Sequence, residues 1–425
     1  MERDVVSGSQ SFAFILILGA AALVSLSGAG KISGTPTTAG SSTFTAMVSD
    51  ASSQSATRGL TLTVASLAPD ACTLYVSPSG SDSNPGTLSS PWQTAQKAFN
   101  SASAGQTVCF RGGTYPQYIA STAGYNQVES HSGTPGNPIV FTNYPGEIAL
   151  LQGSTEIYGS YITVRGTPND SPNCSATNPC SLIFEGSTGY VLGGVVVCCA
   201  AGTNPNFVTF DHVEIRKGTF HAGFYEEGCN NAILGSYVHD NGLQDRNEDN
   251  GIYWSVTPSG CTNGGLIANN LVEHNYSKGI QVYDGGSATE PAYVTVCGNI
   301  SVSNGAYGAV IWGDHNVFAN NVLYGNGDAT QSAQGGLYSG KENLIDRNLT
   351  WSTSDPNSKR SGWFVNKGCC LKDNLITDPS FLDPPRHNWD FKPSSPANQW
   401  ANRDCAKLKE PRVENSAGRS AAGLF

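Results

Sequence analysis

The sequence predicts an all-β solenoid of stacked parallel rungs, and three observations predict it. Gly occurs 49 times in 425 residues, Met only twice, and charged residues make up 13%, a composition that argues for many short strands joined by turns rather than for helical bundles. From about residue 206 the chain repeats. In HAGFYEE, DNGIYWS, SKGIQVY, AYGAVIW, QGGLYSG and RSGWFVN the aligned glycines are Gly223, Gly251, Gly279, Gly308, Gly336 and Gly362, spaced by 28, 28, 29, 28 and 26 residues. A second register holds Asn270, Asn299, Asn321 and Asn348, each followed by an apolar residue, so every repeat carries at least two short strands and their turns. Such units bury their apolar faces only by stacking, and the Asn positions suit ladders between rungs as well as turns. WD40 propellers have longer repeats, and the leucine spacing of leucine-rich repeats is absent.

Taken in order, the chain opens with FAFILILGAAALVSL (residues 12–26), which has the length of a signal-peptide core and is too short to favour a full membrane span. Residues 1–30 are therefore expected to be a signal peptide or membrane anchor, and the protein secreted or held at the cell surface. The preceding MERDVVSGSQS is not clearly cationic, which leaves the anchor open. Over residues 31–68, STFTAMVSD and LTLTVA alternate apolar and polar positions and read as two strands around a polar turn, marginally stable alone. With its ISGTPTTAG turn the segment resembles the closing strands of bacterial Ig-like modules.

Residues 74–115 read as strand, Gly/Pro loop, helix and strand. Ser90 is the expected helix cap, with Pro91 in first position and Trp92, Ala95 and Phe99 on the inner face. Twelve cysteines without paired CxxC spacing point to disulfides in an oxidising compartment rather than to structural zinc. Cys174 and Cys180 flank a short loop, while Cys229 and Cys261 fall at similar points of consecutive repeats; both pairs are candidate bridges. A net charge of -10 offers no basic face and excludes nucleic acid as a partner.

The stretch 74–115 resembles the N-terminal cap of secreted right-handed parallel β-helix proteins of the pectate-lyase-like superfamily. NPIVFTNYPGE (137–147) is similar to their following rung and NLITDPSFLDPPRHNWDFKPSSPA (374–397) to their terminal segment. The resemblance covers residues 72–400 and leaves 401–425 as a tail. It implies a right-handed, single-stranded parallel β-helix with a short N-terminal capping helix. Many such proteins are polysaccharide lyases or uronate epimerases.

Alternation along the Gly-containing strands assigns Phe224, Ile252, Ile280, Ala309, Leu337 and Trp363 to the core. Tyr225, Tyr253, Gln281, Val310, Tyr338 and Phe364 then face outward. A row of exposed aromatics suits stacking on sugar rings and equally suits an aromatic ladder that stabilises the sheet. Tyr225, Tyr338 and Trp254 are the substrate-binding candidates. Rungs lie about 4.8 Å apart, which puts His221, Asp249 and Ser277 in one column and Ala222, Asn250 and Lys278 in the next. Asp249 and Lys278 become neighbours, with His221, Tyr225 and Tyr253 close by.

The acidic segment HDNGLQDRNEDNGIYW (239–254) enters this strand and carries Asp240, Asp245, Glu248 and Asp249; it reads as a cation site or as a solvated turn. His239 and His274 fall at turn positions and read as structural. SYVHDN followed by EDNGIYW resembles the acidic rung of family 9 pectate lyases, in which Asp residues hold Ca²⁺ and a Lys removes a proton. The resemblance implies Asp240 and Asp249 as Ca²⁺ ligands, with Asp245 and Glu248 in the loop above. It departs from that rung in lacking an adjacent Asp pair, since Glu248 precedes Asp249 and Asn250 follows.

Lys278 is nominated by rung geometry alone. Calcium on a uronate carboxylate would stabilise charge developing at the adjacent carbon. Lys278, kept neutral by that cation and by partial desolvation, would take the C5 proton, and His221 or Tyr253 would assist the leaving oxygen. The expected function is β-elimination on an extracellular, acidic polysaccharide such as pectate or alginate, by a monomer. One alternative is an inverting glycoside hydrolase using Asp249 with Asp240 or Glu226, disfavoured because the NTD, adjacent-Asp and RIK motifs of β-helix polygalacturonases are missing. The other is a non-catalytic glycan-binding or adhesive β-helix.

Overall fold

The computed structural model describes residues 24–26, 32–34, 40–49, 55–64, 72–116, 127–167, 174–186, 193–198, 204–219, 222–242, 249–255, 261, 263–283, 292–327, 334–337, 340–353, 362–365, 370–399 and 405. The chain divides into two compact units, residues 1–71 and 72–425. In the first, Val24–Leu26 pairs antiparallel with Ile32–Gly34, and Gly40–Ser49 pairs antiparallel with Ser55–Val64 from Gly40 opposite Val64 to Ser49 opposite Ser55. Residues 12–23 of the apolar N-terminal segment lie outside the described residues. No helix among the described residues is long and apolar enough to cross a membrane.

The second unit is a right-handed parallel β-helix. Sheet I has eleven strands, from Leu74–Val76 to Cys370–Lys372; sheet II has ten, from Gly113–Tyr115 to Leu375–Ile376; sheet III has nine, from Gln127–Glu129 to Trp363–Val365. Apart from the end strands, each strand pairs with the strand one coil before and one coil after it, and from Thr107–Phe110 onward the chain visits the three sheets in turn. Strands of two to five residues suffice because the inner ones pair with a rung on both sides.

Alternating side chains point inward and stack in columns. In sheet III, Val195, Phe224, Ile252, Ile280 and Ala309 follow one another; in sheet II the inward column is Ile215, Val238, Val272, Ser301 and Leu323. Phe184, Phe210, Phe224 and Trp254 make successive ring contacts at 5.9, 5.3 and 6.4 Å through this core.

The corners explain the Asn register. Between sheets I and II a single residue in the left-handed region, among them Asn269, Asn320, Arg347 and Asp373, turns the chain, and the next residue is Asn. The Asn270 N–H donates to Asn299 Oδ1 at 2.9 Å, Asn299 to Asn321 at 2.9 Å, Asn321 to Asn348 at 2.9 Å and Asn348 to Asn374 at 2.8 Å, with each Nδ2 donating to the same oxygen. The ladder expected from the sequence is thus formed. A second, unexpected one runs between sheets II and III through Asn241, Asn275, Asn304, Asn326 and Gln334.

Two expectations are corrected. Gly308 donates to the Gln334 carbonyl, and Ala309 pairs with Gly335 and Val310 with Gly336. Gln334, not Gly336, therefore occupies the repeating glycine position, and Leu337 stands in the column of Ile311 rather than of Ala309. The cause is chemical: Gln334 ends the second ladder, accepting the Asn326 N–H at 2.8 Å and donating to the Asn326 carbonyl at 2.9 Å. The capping helix spans Ala95–Phe99 and is capped by Thr94, which accepts the Lys97 N–H at 3.1 Å. It cannot start at Ser90, because Ser90 bridges to Thr87 and Trp92 pairs with Val76. Trp92, Ala95 and Phe99 are buried as expected.

Disulfides join Cys174 to Cys180 and Cys229 to Cys261, the two candidate pairs, and also Cys72 to Cys109 and Cys297 to Cys405. Finally, the hairpin of Phe381–Asp383 and Asn388–Phe391 lays Phe381, Trp389 and Phe391 against Leu271, Val302, Val322 and Leu349 on the outer face of sheet II.

Candidate active site

The sheet III strands Ala222–Glu226, Asn250–Trp254 and Ile280–Val282 carry the candidate residues. Their register is the one expected: Ala222 opposite Asn250, Tyr225 opposite Tyr253, and Tyr253 opposite Gln281. Ser277 donates its N–H to the Asp249 carbonyl at 2.8 Å, and the Lys278 N–H reaches Asn250 Oδ1 at 3.2 Å. Asp249 and Lys278 are consequently diagonal neighbours on adjacent rungs, 1% and 9% exposed. His221 lies outside the described residues.

The acidic segment is resolved into parts by the corner it turns. His239 ends the strand Tyr237–His239 on sheet II, Asp240 takes the left-handed conformation (φ 51°), Asn241 joins the second ladder, and Gly242 (φ 90°) completes the turn. A Cβ on Gly242 would fall 2.6 Å from the Cβ atoms of both Asp249 and Tyr276, so this position excludes any other residue. Gly242 brings the chain against Asp249 at the start of the sheet III strand. Asp245 and Glu248 lie outside the described residues.

Asp240 keeps company with imidazoles. Its Oδ2 is 2.7 Å from His239 Nδ1, and this hydrogen bond, with the charges of His239, His274 and His387, holds its carboxyl below the ordinary range against the opposing effect of burial. His239 also faces Glu214 at 3.3 Å. Burial alone would lower the His239 pKa, but the two carboxylates outweigh it and pull the value up. Calcium asks for six to eight converging oxygens, and the described residues do not supply such a cage.

The outer face of sheet III differs from the expected open aromatic row. Tyr253, Gln281 and Val310 are 6%, 3% and 2% exposed, and Tyr225 is half-buried; the Phe364 side chain lies outside the described residues. Tyr225 and Tyr253 meet edge to face at 5.3 Å and 89°, which is the ladder reading. Burial, followed by its hydrogen bond to Glu227, raises the Tyr225 hydroxyl pKa, so that it stays protonated. Tyr338 lies outside the described residues.

Trp254, expected to bind sugar, is instead fully buried: Ile252 and Trp254 share one face of a strand of period two, so both point inward. Glu226 pairs with Trp254 in the same inward column and is likewise fully buried. Its Oε1 accepts Asn231 Nδ2 at 2.5 Å, and burial raises its pKa well above 4.5. It is no partner for Asp249.

A group not singled out for chemistry in the sequence lies on sheet II. Glu273, wholly buried, receives the Tyr237 hydroxyl and, at 2.6 Å, Trp389 Nε1; His387 Nδ1 stands 3.3 Å and His274 Nδ1 3.9 Å from its Oε2. His387 is 114 residues away in sequence, and no local pattern joins it to Glu273.

Comparison with known proteins gives a family match. The model described as Pel9A-like, right handed beta helix region, matches residues 74–363. The chain is 41% identical over 90 residues to the uncharacterized protein YwoF of Bacillus subtilis (strain 168), covering 21% of this chain and 18% of that protein. It is 38% identical over 100 residues to pectate lyase PEL9 of Emericella nidulans, covering 24% of this chain and 21% of that protein. These matches span about a fifth of the length of the curated relatives. Among solved structures, pectate lyase Pel9A is 12% identical with a TM-score of 0.48, over 74% of this chain and 84% of that one. A rhamnogalacturonan lyase is 15% identical with a TM-score of 0.45, over 73% and 90%.

Proposed function

The chain belongs to the Pel9A-like right-handed β-helix family, and from that premise we propose that it is an exported, polysaccharide-active protein that cleaves a uronate-containing glycan by β-elimination. The observation that carries the reading is the position of Lys278, nearly buried and one rung from Asn250 and Asp249 on sheet III. In such an elimination the Lys278 amine takes the proton from C5, the electron pair passes to form the C4–C5 double bond, and the C4–O bond breaks with a proton delivered to the leaving oxygen. The Tyr253 hydroxyl, on the same strand as Asn250, is the nominated donor. Disulfides such as Cys297–Cys405 support an oxidising destination.

Calcium at Asp249 would neutralise the substrate carboxylate and stabilise the charge that develops beside it. The described residues do not complete its ligand set, and no step above requires it. One observation weakens an alternative: Glu226 faces the core, which removes one carboxyl pair from a hydrolase.

The test is incubation of the full chain with polygalacturonate, alginate and a neutral glycan, with and without a calcium chelator. Unsaturated-product absorbance on a uronate polymer, lost in Lys278→Ala, is the expected result. Reducing ends without that absorbance mean hydrolysis, and retention without turnover means binding; either overturns the lyase reading. Loss of activity with the chelator alone would bring calcium into the site.

A further inference from the structure

We propose that Glu273, His274 and His387 form a binding site for a divalent transition metal, best matched by Zn²⁺, which fastens the C-terminal hairpin to sheet II. Among the described residues this is the one group of three potential ligands whose donor atoms all lie within 4.8 Å of one another. It is separate from Asp249 and Lys278, which lie on sheet III.

Each ligand is placed by a different part of the fold. Glu273 closes the strand Leu271–Glu273, in register with His239 one rung earlier and Val302 one rung later, and its side chain is fully buried. The Tyr237 hydroxyl holds Oε1 and Trp389 Nε1 holds Oε2 at 2.6 Å, so the carboxylate cannot rotate freely. Outer hydrogen bonds of this kind orient metal ligands. His274 occupies the corner directly after the strand (φ 50°), in the column that also holds Asp240 and Ser303. His387 sits at the hairpin turn, also left-handed (φ 57°), between the short helical turn Pro384–Arg386 and Asn388.

The separations suit the metal. Around tetrahedral zinc, bonds of about 2.0–2.1 Å set donors roughly 3.3 Å apart. His387 Nδ1 is 3.3 Å and His274 Nδ1 3.9 Å from Glu273 Oε2, and the two imidazole rings are 4.9 Å apart. Two imidazole nitrogens with one carboxylate oxygen favour zinc or a neighbouring transition ion over calcium, which takes oxygen ligands. Asp240, bonded to His239, holds the corner position one rung before His274 and adds a negative charge to this side of the helix. The imidazoles are partly exposed, at 38% and 43%, which leaves a path for the ion and a coordination position for water.

The chemistry has a rival without metal: a protonated His387 paired with the buried carboxylate. Titration of the chelator-stripped, disulfide-intact chain separates the two. Isothermal titration with Zn²⁺ should give one equivalent per chain, and Co²⁺ in its place should give the visible absorption of a low-coordinate nitrogen and oxygen site. His387→Ala and His274→Ala should each weaken binding at least about tenfold. Zn²⁺ should raise the melting temperature of the parent chain while leaving that of the double variant unchanged. No bound equivalent in the parent chain, or the same equivalent in a folded His274→Ala/His387→Ala variant, overturns the proposal. Circular dichroism of the variants without metal establishes that they are folded.

Discussion

The Lys278 amide N–H donates to Asn250 Oδ1 at 3.2 Å, so that a fully buried side chain on one rung fixes the backbone that presents Lys278 on the next. Lys278→Met keeps the unbranched side chain and the backbone bond to Asn250 and is expected to keep the fold, while lowering elimination on a uronate polymer by roughly 10²-fold or more. Thermal melting and initial rates on the same preparations check both halves. Loss of activity together with collapse of the melt would assign Lys278 to structure instead.

Glu226 sets a pH dependence on stability. Its carboxyl is buried among apolar neighbours, Oε1 accepts from Asn231, and Oε2 has no hydrogen-bond partner among the described residues. Burial raises its folded pKa well above the ordinary 4.5, so the folded state holds the proton more tightly than the unfolded state. The stability this contributes is fully present below pH 4.5 and is lost as pH rises through the folded value, with a slope approaching about 1.4 kcal/mol per pH unit. Glu226→Gln keeps the side chain neutral. The parent chain should therefore lose stability relative to the variant as pH rises above 4.5 toward the folded value, as measured by urea unfolding at each pH. Parallel curves would show that Glu226 does not carry the effect.

The Asn ladder predicts a gradient of mutational cost. Asn299 accepts the N–H and Nδ2 of Asn270 and donates Nδ2 to the Ile267 carbonyl and to Asn321. Asn299→Ala strands two buried donors, at about 1–3 kcal/mol each, and should cost roughly 3 kcal/mol or more. Asn374 accepts the same pair of bonds from Asn348 but is only half-buried at the end of the ladder. Water can replace it there, and Asn374→Ala should cost about 1 kcal/mol. Equal losses in denaturant titrations would mean that the ladder does not act through burial.

Much of the fold was legible because the repeat forces it. Once Gly251, Gly279 and Gly308 are aligned, the columns of Phe224, Ile252, Ile280 and Ala309 follow from the spacing, as does the neighbouring of Asp249 with Lys278. The register failed at QGGLYSG because the repeating position there holds Gln334 rather than glycine, so aligning on Gly336 slips the strand by two residues; Gln334 is held in that place by its side chain bonding to Asn326. Burial on the outer face was not legible either. A period of two separates Tyr253 from Ile252, yet it does not report that the outward side is covered. Least visible was Glu273 with His387, since sequence repetition relates rungs about 28 residues apart and the hairpin returns from 114 residues away.

Trp254 provides the sharpest separation of fold from site. Alternation with Ile252 turns it inward, where its ring meets Phe224 at 6.4 Å and lies against Gly265, whose lack of a Cβ makes room for it. Trp254→Ala removes a fully buried indole and should cost about 3–5 kcal/mol. Trp254→Phe should cost less than its lost volume suggests, because the indole Nε1 finds no hydrogen-bond partner among the described residues and phenylalanine removes that unsatisfied N–H. A role on a sugar-binding face predicts the reverse pattern: weaker retention on uronate polymers with an unchanged melt. Denaturant unfolding and glycan affinity electrophoresis of both variants distinguish the two, and a stable Trp254→Ala with impaired retention would return Trp254 to the binding surface.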